Sequence, residues 1–428
     1  MAVEGRSGDA ARRTICVLGA GAAGLVFARE VERSGHRAIV LEASSTVGGP
    51  CTSEVIDGRA HDLCGRLCGN GYRQIGALIG EFGLTTQPAS QAFLFHPDSR
   101  SVSRVAAVEF GAHRELLATY LELRRRQVPR IDEPGLAHSD ALSVPARTWL
   151  AEHGLEPLLD SLGACFTAAG FGDVDDDLPA LYFAKTTAYF FNGRKTHVLG
   201  HNGPFTVVGG FHQLWDRLAA QLSDVRCGVE VTSIARSGPH VTVHTTAGTV
   251  TADALVLTIP WDAALPLLAD ATDDERDIAR RIRRIDYYTT LCRISGAPTS
   301  GMYILTNDRR ATHPGRLVAL HNQHADTDWY VCYSYGGGEL TAESALEQLH
   351  TEVEKIGGRI REVRLQRRWS RMPHFSGAAI ADGVYRRIEA NQGKHRTYVI
   401  GSLPAFELNE CNVSYAQDAA RRFFPPHR

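Results

Sequence analysis

The chain has 428 residues, of which 43% are hydrophobic and 22% charged, with a formal net charge of -2. That length exceeds a comfortable single core and predicts two domains or a two-lobed body. The near-neutral charge balance argues against a nucleic-acid binder working through a basic surface, and no run approaches eighteen uninterrupted apolar residues, so no membrane span is predicted.

Thr14 to Glu42 reads as one strand-helix-strand unit with the turn Gly19-Ala20-Gly21-Ala22-Ala23-Gly24 between its first strand and its helix. Gly19 permits a tight turn, Gly21 lets backbone approach a pyrophosphate, and Gly24 lets the helix pack closely on the strand. The helix start, including Ala23, offers free N–H groups and partial positive charge to an anion. Glu42 ends the second strand, about eighteen residues past Gly24, where an acid can bind a ribose 2′-hydroxyl. Ala43 follows it, and the loop Ser44 to Pro50 carries a second glycine pair, Gly48 and Gly49, suited to close backbone approach.

Leu116, Leu117, Tyr120, Leu121 and Leu123 recur at helical spacing and predict an amphipathic helix over roughly Val108 to Arg125. Arg124, Arg125 and Arg126, with Glu122 beside them, form its solvated end. Ser143 to Phe191 is helical and rich in aromatics, including Phe166, Phe171, Tyr182 and Phe190. Gly209-Gly210-Phe211 then precedes a helix with Leu214, Leu218 and Leu222 on one face, a strand is predicted over Gly228 to Ile234, and a hairpin folds about Ala247-Gly248. Ala254 to Pro260 is a buried strand closed by proline. Thr341 is the expected N-cap of a helix to Ile356, Tyr398-Val399-Ile400 is the last strand, and a helix from about Ser414 to Phe424 closes the chain.

Nine cysteines, odd in number and scattered, predict buried free thiols rather than a disulfide framework. Cys64 and Cys68 have neither a second nearby pair nor a histidine at finger spacing, so no metal site is expected. Met1 to Arg13 is polar and lacks the apolar core of a signal peptide, so a cytoplasmic enzyme is expected. No Gly-x-Ser-x-Gly elbow and no His-Glu-x-x-His occurs, which disfavours hydrolase and zinc-protease chemistry.

Taken in order, Gly19-x-Gly21-x-x-Gly24 with Glu42, Gly48-Gly49, Gly209-Gly210-Phe211, Val229-Glu230-Val231, Ala252 to Pro260 and the Gly401 loop resemble the flavin amine oxidase superfamily from Thr14 to Phe424. Phe166 to Gly172 and Tyr385 to Gly393 look most like the polyenoic fatty acid double-bond isomerase branch and related tailoring oxidases. The resemblance implies an α/β fold in which a Rossmann-like FAD-binding domain (14–95, 203–292 and 385–428) interleaves with an α+β substrate domain (96–202 and 293–384). It implies FAD as cofactor, with Gly19, Gly21, Ala23, Gly24, Gly48 and Gly49 around the pyrophosphate, Glu42 and Ala43 at the ribose, and the Val231 backbone at the adenine. Gly401, Ser402, Asn412 and Val413 would hold the flavin, where a helix start favours the negative charge that reduction adds.

Two departures bear on the substrate. The isomerase branch has a pair of arginines, one anchoring a fatty-acid carboxylate, just before a Phe-Leu step, whereas this chain has Ser90-Gln91-Ala92-Phe93-Leu94. An uncharged substrate is therefore expected. The lysine that in the amine oxidases helps oxygen reoxidise the flavin has no counterpart in Tyr287 to Cys292, which speaks against fast oxidase behaviour. Tyr182 is the candidate catalytic residue, able to bind substrate or take a proton, with satisfied core as its alternative. Phe190, Phe166 and Phe171 are candidate substrate-wall residues, with plain packing as theirs. His61, Asp62 and Cys64 are expected to reach the flavin by analogy, Cys411 lies where a thioether to FAD is conceivable, and Trp369 could present its ring to the cavity.

The expected function is an FAD-dependent oxidoreductase that abstracts hydride from a C–N or C–C–H centre of an apolar, uncharged small molecule in secondary-metabolite tailoring. The rivals are a redox-neutral double-bond isomerase and a flavin-binding protein without turnover. The expected partner is the small-molecule substrate, with homo-oligomerisation left open.

Overall fold

The computed structural model describes residues 12–99, 101–105, 113–138, 140–160, 162–175, 177–191, 198–201, 203–305 and 313–426. Five strands, Thr397–Val399, Ala254–Leu257, Thr14–Leu18, Arg37–Glu42 and Val225–Cys227, lie in that order in one parallel sheet. Ile15 to Leu18 and Leu255 to Leu257 are buried, as the central strands of a sheet covered on both faces must be. The helices Ala22–Arg33 and Asn409–Phe423 pack together on it, with Phe27 edge-on to Phe424 at 5.5 Å.

The strand predicted over Gly228 to Ile234 begins only at Val231, and a separate strand, Val225–Cys227, precedes it. Gly228, at φ +70°, turns the chain, so that Val225–Cys227 joins the parallel sheet while Val231–Ala235 pairs with the hairpin Val241–Thr245 and Gly248–Ala252. Apolar periodicity cannot see this break, because both segments have strand texture.

A second sheet of seven strands runs in the order Arg359–His374, Arg283–Ser295, Trp329–Tyr335, Leu317–Asn322, Gly301–Leu305, Ala92–His96, Ser101–Arg104. Its two faces follow from the period of two along each strand. Tyr287, Leu291, Val331, Tyr333 and Tyr335 share one apolar cluster with Leu63 and Ala168, whereas Cys292, Ile294, Tyr330 and Cys332 share another with Leu349 and Val353 of the helix Ala342–Lys355. Ala92–His96 and Arg283–Ser295 both pair within the larger sheet, so these strands straddle the domain boundaries expected at 95 and 292.

Thr341 caps the helix Ala342–Lys355 as predicted, in a capping box with Ser344. The amphipathic helix expected from Val108 runs Arg114–Gln127 in the structure, and residues 106–112 lie outside the described residues. The closing helix begins at Asn409, five residues before the expected Ser414. Its first turn, Asn409-Glu410-Cys411-Asn412, is poor in helix formers, and tertiary contacts to Gly65, Gln74 and Ile75 hold it instead. Among the described residues no helix is long and apolar enough to cross a membrane.

Candidate functional site

At the turn after the first strand, Gly19 N–H donates to Leu41 O at 2.8 Å and the Gly19 backbone sits at φ +102°. The Thr258 hydroxyl lies against it, donating to Leu18 O at 2.7 Å. A Cβ on Gly19 would stand 2.7 Å from that hydroxyl, and a Cβ on Gly24 would run into the Gly19 carbonyl. A Cβ on Gly21, by contrast, would meet no atom within 4 Å. Two of the three glycines therefore serve packing, and the third faces open space.

That open space lies at the start of the helix Ala22–Arg33. The Leu25 N–H makes the first intrahelical bond, to Gly21 O at 3.0 Å, and Gly21 supplies no side-chain cap. The N–H groups at Ala22, Ala23 and Gly24 thus have no intrahelical acceptor. The second glycine pair closes over the same turn: Gly48 N–H donates to Ala20 O at 2.8 Å, and Gly49, at φ +56°, would place a Cβ 3.5 Å from Gly21 Cα. Donors without an intrahelical acceptor and a missing side chain fit an approaching pyrophosphate.

Glu42 is held at the edge of this turn. Its Oε2 accepts from Ala20 N–H at 2.9 Å and its Oε1 from Ser44 N–H at 2.8 Å. A carboxylate has about four acceptor sites, so the two N–H groups orient Glu42 and leave capacity for a diol. Val229 N–H donates to Glu42 O at 2.9 Å and Gly228 N–H to Ser44 O at 2.8 Å, which lays the stretch leading into Val231 beside Glu42 and Ala43. Val231 itself is half-buried in the hairpin sheet.

The last strand delivers the opposite end of the site. Ile400 N–H bonds Leu257 O at 2.9 Å, and Gly401, at φ +117°, would place a Cβ 3.0 Å from Thr258 O. Thr258 therefore touches both the first glycine turn and the last loop. The sequence reading included it in the Ala252 to Pro260 motif but gave it no role, since its contacts come from two segments more than 100 residues away on either side. Ser402 Oγ meets Asn412 Oδ1 at 3.4 Å, while the Asn412 amide donates to Phe406 O at 3.1 Å and Leu408 O at 2.9 Å. The Asn412 side chain thus shapes the loop from behind. Val413 is buried, and the helix start at Asn409 has no side-chain cap, so it presents a second set of free N–H groups.

Loops meet at that helix start. Asn409 Nδ2 donates to Gly65 O at 2.7 Å, and Cys51 Sγ reaches Asn409 Oδ1 at 3.4 Å. Asp62 Oδ1 accepts from Ser53 Oγ and from Phe211 N–H, which ties Gly209-Gly210-Phe211 to the segment following Gly48-Gly49. His61 is buried beside His324, with ring centroids 4.9 Å apart, and burial pushes it down to about 4.

The structure puts Tyr182 in a different position from the one a proton acceptor needs. Its hydroxyl accepts from Phe375 N–H at 2.8 Å, donates to Phe375 O at 3.1 Å and meets Tyr385 Oη at 2.8 Å, with the side chain buried. Its hydrogen-bonding capacity is taken up by the turn at Phe375 and by Tyr385. Its ring, however, stacks on Phe406 at 6.1 Å, and Phe406 also contacts Phe171, itself packed on Phe166. Phe166 and Phe171 are therefore brought together at the loop between Gly401 and Asn409. Phe190 is placed elsewhere, against Tyr72 at 5.7 Å and over Gly69.

Sequence reasoning did not single out Arg371 and Glu407. They form a buried ion pair at 3.4 Å, and the guanidinium lies over Phe171 and Tyr287, 5.7 Å from each ring. In the strand without a lysine, Thr289 and Thr290 are buried, and Thr289 Oγ1 accepts from Trp369 Nε1 at 2.8 Å. Trp369 is thereby committed to the sheet. Burial pushes the Cys411 thiol up to about 12, which leaves it protonated and a poor nucleophile for a thioether.

A family model described as flavin containing amine oxidoreductase matches residues 22–294. A putative flavin-containing monoamine oxidase of Mycobacterium tuberculosis is 29% identical over 266 residues, covering 58% of this chain and 56% of that protein. The match thus spans little more than half the length of that relative. A flavin-dependent L-tryptophan oxidase of Lentzea aerocolonigenes is 28% identical over 312 residues, covering 63% of each chain. Among solved structures, a CLA-producing fatty acid isomerase from P. acnes superposes with a TM-score of 0.87 at 24% identity, covering 97% of this chain and 99% of that one. Wild-type putrescine oxidase bound to putrescine superposes with a TM-score of 0.69 at 16% identity, over 96% and 98%.

Proposed function

The chain belongs to the flavin-containing amine oxidoreductase family, and from that premise we propose an FAD-dependent oxidoreductase that takes hydride from a C–N or C–C–H centre of a largely apolar small molecule. Secondary-metabolite tailoring is the context we assign it. The carrying observation is that two buried helix starts without side-chain caps, at Ala22 and Asn409, serve the same parallel sheet, with Glu42 oriented between loops beside the first. A cofactor held at one end alone would need only one of them, whereas a dinucleotide spanning pyrophosphate, ribose and ring needs all three.

In this reading Gly19, Gly21, Ala23, Gly24, Gly48 and Gly49 cradle the pyrophosphate, Glu42 and Ala43 take the ribose, and the Val231 backbone takes the adenine. Gly401, Ser402, Asn412 and Val413 form the loop and helix start that hold the flavin, with the cofactor segments interleaved between those of the substrate sheet. A bound flavin would supply the hydride acceptor. The chain's own part is to orient the substrate and exclude water, which Phe166, Phe171 and Phe406 do on one side and the Tyr287, Tyr333 and Tyr335 face does on the other. Tyr182 contributes by holding the Phe375 turn and the Phe406 ring in place.

The close superposition on a fatty acid isomerase over nearly the whole chain favours a second reading, in which hydride is returned to another carbon of the same substrate. Anaerobic mixing of the purified yellow protein with amines, amides and polyunsaturated lipids separates the two. Flavin bleaching with a product two hydrogens lighter supports the oxidoreductase. A product of unchanged mass without net bleaching supports the isomerase. Stable oxidised flavin with every compound would leave a flavin-binding protein without turnover, and a colourless protein that refuses FAD would overturn the cofactor assignment.

A further inference from the structure

Arg66 follows directly on Gly65, whose carbonyl is pinned to Asn409 at the start of the closing helix. A Cβ on Gly65 would stand 2.8 Å from Cys51 Sγ, so the backbone there is pressed against the segment after Gly48-Gly49. The Arg66 side chain is half-buried and crosses toward the tyrosine-bearing face of the large sheet, where its Nη2 lies 2.9 Å from His321 Nε2 on the strand Leu317–Asn322.

A guanidinium can only donate, so His321 Nε2 is the acceptor and the ring is neutral with its proton on Nδ1. Burial and the Arg66 charge both hold His321 well below its ordinary value, in agreement with that tautomer. The Nδ1–H is buried and has no partner among the described residues, and neither ring nitrogen of nearby His61 has one there. The Tyr333 hydroxyl, close enough to Arg66 to feel its charge, makes no hydrogen bond to a described residue.

What Arg66 lacks is a counter-charge. Arg236 meets Asp270 and Glu275, and Arg371 meets Glu407, yet among the described residues no carboxylate lies within ion-pair distance of Arg66. Asp62 acts on it only through space, with Oδ1 committed to Ser53 and Phe211. A guanidinium partly withdrawn from water without an anion is costly, and Tyr333 beside it belongs to an apolar cluster with Leu63, Tyr287 and Trp329.

We infer that Arg66, with His321 Nδ1–H and the Tyr333 hydroxyl beside it, binds the carboxylate of an otherwise apolar substrate. The inference rests on the proposed flavin site and names its substrate class. It replaces the uncharged substrate expected from Ser90-Gln91, which lie before the edge-side strand Ala92–His96, with an acid whose anchor comes from the cofactor side of the cavity. A carboxylate can take two parallel N–H bonds from the guanidinium face not used on His321, and the apolar body then lies along the tyrosine face.

The test is titration of the holoprotein with decanoate and phenylacetate against decanamide and phenylacetamide, read by calorimetry, with flavin content measured separately. At least one acid should bind tenfold or more tightly than its amide. Truncating one member of a buried charge pair should cost that acid roughly 30-fold or more in Arg66→Gln, with less loss in Arg66→Lys and none for the amides. Equal binding of acids and amides to the native protein would overturn the proposal, as would acid binding unchanged in a folded Arg66→Gln. If that variant does not fold, the native comparison still decides. Calorimetry needs no chromophore, so loss of flavin would count against the cofactor assignment and leave this result readable.

Discussion

Replacing Glu410 by glutamine should flatten the pH dependence of stability. Glu410 is 2% exposed, and its two carboxylate oxygens accept from Gln74 N–H at 2.8 Å and Ile75 N–H at 2.9 Å, which caps the helix Arg73–Glu81 from a distant segment. Burial outweighs those two bonds and raises its pKa from 4.5 to about 7. The folded state therefore holds this proton more tightly than the unfolded chain does. The stabilisation is fully present below pH 4.5, declines as the unfolded chain ionises, and is lost once pH passes about 7. At 1.36 kcal/mol per pKa unit the whole swing is on the order of 3 kcal/mol. Glutamine is uncharged like the protonated acid, but its amide nitrogen cannot accept as both Glu410 oxygens do, so Glu410→Gln should lie below the native protein near the acid end and gain on it as pH rises through about 7. Urea unfolding of both apoproteins across this range gives the difference curve, in which titrations common to both cancel. A constant difference at every pH would refute the reasoning and show that folding leaves the Glu410 pKa at its ordinary value.

Three further outcomes are expected. Gly21→Ala should fold with native thermal stability but lose flavin, because its Cβ meets no protein atom, whereas Gly24→Ala should destabilise the apoprotein itself by driving a methyl into the Gly19 carbonyl; parallel thermal melts and flavin absorbance separate them. Glu42→Ala should weaken FAD binding by roughly 10- to 100-fold through loss of the charge-assisted ribose bonds, and unchanged affinity by fluorescence titration would remove Glu42 from that role. Tyr182→Phe should cost about 1–3 kcal/mol in urea unfolding, since the Phe375 N–H and C=O both lose their partner, while anaerobic flavin reduction proceeds at nearly the native rate. A large fall in that rate with stability intact would restore Tyr182 to catalysis.

The cofactor half of the molecule was legible because its signals are local. A strand, a glycine turn, a helix and a terminal acid are consecutive in the chain, and each glycine answers a steric demand set within a few residues. The capping box at Thr341 was readable for the same reason. The division of the chain at Gly228 was not, since both flanking segments have strand texture and only their pairing partners tell them apart. The early start of the closing helix was missed because its first turn is held by Gly65, Gln74 and Ile75 rather than by its own propensity.

The sequence by itself set the glycine turn Gly19 to Gly24, with Glu42 ending the next strand, as the place proposed for a dinucleotide, and gave the chain the order of motifs of a flavin amine oxidoreductase. The tertiary structure decided what surrounds the reacting end. It turned the Tyr182 hydroxyl inward to Phe375, set Arg371 against Glu407, and brought Arg66 to His321 across 255 residues of chain with no acid among the described residues to match it. The physical reason is that hydrogen-bond capacity and counter-charge are properties of a neighbourhood. A residue type shows what a side chain can donate or accept, and only packing shows whether a partner has already taken it.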